Sequence, residues 1–140
     1  MNQSIKTNGI DETVLENIRQ QQFKVREHYA DAPARFLTTW KQAIELIGPD
    51  YFHCKGVDCY QDATDRDQLR PNNDAIEHFI SVCSIGEGVF IAAVCSFFNS
   101  DWGLEIGKGF GYVAIGDIAK RLDLDQLEVL TALILNHTGW

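Results

Sequence analysis

His53 and Cys54 stand side by side, Cys59 follows in a Cys-x4-Cys spacing, and His78, Cys83 and Cys95 come further along the chain. Imidazoles and thiolates are the ligands that hold zinc in a tetrahedral site. The spacing is wider than the Cys-x2-Cys knuckle of structural zinc sites, and no second close pair exists. Cys83 and Cys95 fall in apolar runs, where cysteine behaves as a small hydrophobe. Reduced structural cysteines are therefore expected and no cofactor. His53, Cys54 and Cys59 are the residues that a metal, with zinc the fitting ion, would use. The same residues raise the chemistry of a thiolate nucleophile paired with imidazole. Neighbouring His53 and Cys54 are badly placed to hydrogen-bond one another, so no catalytic role is assigned and the chain reads as a non-enzyme.

Carboxylates offer a second chemistry. Asp58, Asp62, Asp65 and Asp67 lie in one polar loop, but no register supplies the central glycine and final glutamate of a calcium-binding EF-hand. Arg66 and Arg70 are interleaved with them, which favours solvated, partly neutralised loop acids. A third pattern is IGKGFGYVAI, which resembles the glycine-rich phosphate-covering loop of protein kinases through Gly107, Gly109 and Gly111. It is one residue short between the second and third glycines. The short remainder of the chain also lacks the other motifs of that machinery. The glycines read better as suppliers of positive φ in a tight turn.

The segment VAIGDIAKRLDLDQLEVLTALILN resembles the helix-turn-helix of bacterial repressors, with Asp117-Ile118-Ala119 in a first helix, then Lys120-Arg121-Leu122 and a turn. That resemblance implies a DNA-binding regulator using residues 115–137 as an alternative function. A recognition helix needs donors for base edges and phosphates. Here it opens Asp125-Gln126-Leu127-Glu128 and carries no Lys or Arg to the end of the chain. Carboxylates facing phosphate repel it. A helix pair used for packing is expected, and nucleic acid is not the expected partner.

These residues must be positioned by a chain of 140 residues and 15.8 kDa, the size of a single domain around one hydrophobic core. The net charge of −8 comes from 20 acidic and 12 basic residues. Residues 1–70 carry 11 acids and 9 bases, and residues 71–140 carry 9 acids and 3 bases. The acidity thus gathers in the second half and opposes binding to nucleic acid or anionic membrane. The amino-terminal residues have neither a cationic start nor an apolar run, and no stretch is long enough to span a bilayer. A cytoplasmic protein is expected, with no membrane partner.

The periodicities predict a mainly α fold, a single compact domain over residues 1–140 with five to six helices. Residues 1–10 are expected to be flexible. Asp11 caps a first helix to about Tyr29, with Val14, Ile18, Val25 and Tyr29 on one side. Asp31 caps a second, with Pro33 in its first turn and Phe36, Leu37, Trp40, Ala43, Ile44 and Ile47 inward, until Gly48-Pro49 ends it. Residues 50–73 form a long ordered loop. A third helix starts at Asn73 or Asp74, with Glu77 completing a capping box, and stops near Gly86. The run at residues 88–99 is apolar on every side, hence buried, and period leaves helix or strand open, with helix favoured. Trp102, Leu104 and Ile106 alternate before the glycines, so a short β-hairpin near residues 102–115 is the one non-helical element proposed. Helices from Ile115 to Leu122 and from Asp125 to His137 close the chain, the last opened by an Asp125/Glu128 box.

The last helix carries Leu127, Val129, Leu130, Leu133, Ile134 and Leu135, a wider apolar face than one buried stripe requires, and the chain ends on Trp140. Leu127, Leu130, Ile134 and Trp140 are accordingly the candidate interaction surface. The function expected is a small acidic noncatalytic protein that binds another protein, as a regulator, inhibitor or accessory subunit, and acts as a homodimer.

Overall fold

The computed structural model describes residues 9–111 and 114–140; most of the amino-terminal stretch expected to be flexible lies outside them. Asp11 caps α1, its carboxylate accepting from the Thr13 N–H, and α1 then runs unbroken over Glu12–Ile47, 36 residues. The first two helices expected from the sequence are therefore one. Asp31 is not a cap; its carboxylate lies 3.9 Å from the Arg35 guanidinium one turn on. Pro33 sits inside the helix, where its ring removes one backbone donor. Arg35 bridges the turn before it, donating from Nη2 to the His28 carbonyl at 2.7 Å. Gly48, at φ 126°, ends α1, and its N–H donates to the Ile44 carbonyl.

Beyond Gly48 the chain makes three 3₁₀ turns, at Pro49–Tyr51, Tyr60–Asp62 and Arg66–Leu69, with an isolated bridge between Phe52 and Pro71. The long loop is ordered because its backbone polar groups are met from α1 and from within. Trp40 Nε1–H donates to the Leu69 carbonyl at 2.9 Å, and Lys41 Nζ donates to the carbonyls of Gln61 and Ala63, each at 2.7 Å. Gln68 Oε1 accepts from the Thr64 and Asp65 amides. Leu69, Phe52 and Ala63 are buried beneath.

Four further helices follow: α2 at Asn73–Val82, α3 at Ile85–Phe98, α4 at Ser100–Gly109 and α5 at Ile115–Arg121; α6 at Leu124–Asn136 completes the fold. The described chain is mainly helical, as the periodicities require. Asn72, one residue before the expected start, caps α2 through the Ala75 N–H, and α2 ends at Val82. Ser84 caps α3, receiving the Glu87 N–H and donating its hydroxyl to the Glu87 carboxylate.

Residues 88–98 of the apolar run are helical, with Asn99 just past the helix end, and they lie between two hydrophobic clusters, which is why the run shows no polar face. Val89, Phe90 and Val94 pack with Phe36, Trp40, Ile44, Leu69, Leu130 and Leu133 on one side. Ile91, Ala92 and Cys95 pack with Ile76 and Ile106 on the other.

The hairpin proposed near residues 102–115 is corrected: its first half, Trp102 to Ile106, is helical within α4, while residues 112–113 lie outside the described chain. Asn99 supplies the cap, accepting from the Trp102 N–H at 3.0 Å. Gly103 serves closeness rather than turning. A methyl at Gly103 would come within 2.6 Å of the Ser96 Cα, so only glycine lets α4 lie this tightly on α3. Gly111, at φ 87°, is the one of the three kinase-like glycines with the positive φ expected of them.

Candidate interaction surfaces

The residues singled out for metal or thiol chemistry are dispersed. His53 and Cys54 are exposed, and the His53 backbone N–H donates to the Arg70 carbonyl. The Cys59 thiol donates to Gln61 Oε1 at 3.2 Å. Cys95 is sealed between α2, α3 and α4, and burial pushes its thiol up to about 12. Burial, with Glu87 adding to it, also raises the Cys83 thiol. Among the described residues no three His, Cys, Asp or Glu side chains gather in a way that would hold a metal ion.

Two carboxylates of the acidic loop have structural employment. Asp65 caps the Arg66–Leu69 turn with Gln68 completing the box. Asp67 accepts from Arg70 Nη2 at 2.9 Å and from Trp140 Nε1 at 3.0 Å, and these two bonds hold its carboxyl below the ordinary carboxylate value.

That second bond brings the chain terminus home. The Trp140 ring lies 4.8 Å from Trp40 and 5.3 Å from Phe98, edge on to both, with the Arg66 guanidinium 5.1 Å over its face. His137 sits between Phe36 and Phe97, with ring centroids 5.4 Å and 5.1 Å away, and its Nδ1 is buried without a hydrogen-bond partner. Burial, reinforced by the Arg66 charge, lowers its pKa below the ordinary histidine value. Of the four residues expected to form an interaction surface, Trp140 thus packs on its own chain, Leu130 is buried at 5% exposure and Leu127 is half-buried against the main core. Ile134 alone stands clear, at 63%.

Ile134 marks the edge of an apolar groove of about 460 Å³ between α3, α4, α5 and α6. Ala93, Phe97 and Leu130 line it with Ile118 and the exposed Leu104. Its α4 wall is low because Gly103 and Gly107 present no side chains. Nothing in the spacing of the last helix announces this groove, since α3, α4 and α5 supply most of it.

A second uncovered apolar surface lies on α1. His28 Nε2 meets the Leu135 carbonyl at 2.8 Å, and Arg35 Nε donates to Asn136 Oδ1 at 2.9 Å, so α6 ends beside the middle of α1. The rest of α6 buries Val129, Leu130 and Leu133 with Trp40, Ala43 and Ile44, so it runs antiparallel to the second half of α1. Residues 12–27 project past His28 by about 24 Å, at 1.5 Å per residue. Val14, Ile18 and Val25 are exposed along them, and Tyr29 just beyond. At the helical period these four share the face that Ala32, Phe36 and Ala43 bury further on.

The α5–α6 pair meets at Leu122 and Asp123. Asp123 with Gln126 forms the capping box of α6, two residues earlier than expected. Val129, Leu130, Leu133 and Asn136 face inward, while Asp125 and Glu128 are exposed near the start of the helix. Compared with protein-family models, with curated proteins and with solved structures, the chain matches none.

Proposed function

We propose that the protein is a noncatalytic binding protein of the cytoplasm that works as a homodimer and engages another protein as a regulator, inhibitor or accessory subunit. The observation that carries this reading is the uncovered apolar face of residues 12–31, which continues a stripe that is buried elsewhere in the same helix. Amphipathic helices gain most of their stability from packing that face, so a solvated one calls for a partner. The groove at Leu104 and Ile134 adds a second apolar site on the same molecule. The exposed Asp125 and Glu128 on α6 favour this reading over a DNA-reading one. The test is the mass of the purified protein in solution, together with recovery of partners on the immobilised chain. A strict monomer that retains no partner overturns the proposal.

A further inference from the structure

Resting on that binding reading, we infer that residues 12–31 form an antiparallel helical pair with the same segment of a second copy, the two-fold axis falling between Gln21 and Gln22.

The stripe is self-complementary in that register. A two-fold axis between Gln21 and Gln22 sets Val14 opposite Tyr29 and Ile18 opposite Val25, then the same pairs again with the copies exchanged. Every exposed apolar residue of the stripe therefore meets an apolar residue, and the two glutamines meet at the centre. The helical period places Glu12, Glu16, Arg19, Lys24, Arg26, Glu27 and Asp31 to the sides or back of this face, so no charge enters the seam. A parallel pair would instead stack Val14 on Val14 and Tyr29 on Tyr29, leaving the folded bodies side by side at one end.

The existing packing of the chain points the same way. α6 covers the second half of the α1 stripe and runs antiparallel to it, ending near His28. A second copy's residues 12–31, also antiparallel, continue that track along the uncovered half. The tip of the incoming helix then arrives at the level of Tyr29, where α6 ends and Leu135 is exposed. The new interface is thus an extension of the α1–α6 interface, and each copy's protruding helix reaches towards the other's folded body.

The test begins with light scattering on the full chain, which should give twice 15.8 kDa. The double variant Ile18→Asp/Val25→Asp places carboxylates opposite one another in the seam and should raise the dimer dissociation constant by about a hundredfold or more. Circular dichroism checks that the fold is retained. In a Cys54→Ser/Cys59→Ser background, Gln21→Cys should form an intermolecular disulfide on mild oxidation. Val14→Cys should not, because its two copies lie about 22 Å apart along an antiparallel pair.

Equal cross-linking of Val14→Cys and Gln21→Cys means a parallel pair and overturns the inference. A dimer that survives Ile18→Asp/Val25→Asp uses another face and overturns it too, while leaving the binding reading in place. A strict monomer whose captured partner is lost on the same double substitution assigns the stripe to a different protein, with the same consequence. A strict monomer that captures nothing overturns both.

Discussion

From Ala32 to Ile44, α1 buries Ala32, Phe36, Thr39, Trp40, Ala43 and Ile44 against α3, α6 and the long loop, whereas from Val14 to Tyr29 the same face of the same helix meets solvent. Both halves have the period of an amphipathic helix. They differ in what the rest of the chain brings to them: α6 is 13 residues long and reaches only as far as His28. Periodicity records which face is apolar, and the length and direction of a neighbouring helix decide how far that face is covered.

The contrast can be broken most severely at Trp40. Its ring is fully buried and its N–H satisfies the Leu69 carbonyl, so Trp40→Ala should cost about 3–5 kcal/mol in denaturant unfolding. A loss below about 1 kcal/mol would contradict the central place given to this residue. Gly103→Ala comes next. It forces α4 away from Ser96 and should cost about 1–3 kcal/mol while reshaping the groove, as read by unfolding and by the amide spectrum of α3 and α4.

Acid should act on the covered half. His137 is held neutral, so the unfolded chain takes up its proton first; stability is full above the ordinary histidine value of 6.5 and declines as pH falls below it. A further loss begins near 3.8, the ordinary carboxylate value, as Asp67 is protonated and gives up its bonds to Arg70 and Trp140. Thermal unfolding across pH, followed by tryptophan fluorescence, checks both, and His137→Asn should remove the first loss. The smallest effect belongs to the uncovered half. Ile18→Ala, measured at dilution where the chain is monomeric, should change unfolding by no more than about 0.5 kcal/mol. A larger loss would mean that the chain's own residues cover this face.

Much of the fold was legible. Phe36, Trp40, Ala43 and Ile44 sit at helical spacing, Asp11 caps α1 as expected, and residues 88–98 of the apolar run lie in the helix between two clusters. The misread segments share one cause. Asp31 and Pro33 carry the chemistry of a helix start, and the glycines after Trp102 that of a turn, but each such residue serves two geometries. Pro33 is accommodated inside a continuous helix whose following turns are buried, and Gly103 lets α4 lie against Ser96 of α3. Of the four candidate surface residues only Ile134 is exposed, because exposure of an apolar residue depends on which elements fold over it. Trp140 has the same apolar character, yet it is half-buried against Trp40, Phe98, Arg66 and Asp67.

The sequence by itself determined the helical class, the apolar faces of the helices, the buried character of α3 and the acidic second half, since these follow from spacing and charge within short stretches of chain. The tertiary structure alone decided that α1 outruns its neighbours, that the C-terminal tryptophan closes onto its own core, and that a groove opens beside Ile134. Each of these depends on where distant segments end against one another, and a local pattern carries no measure of that.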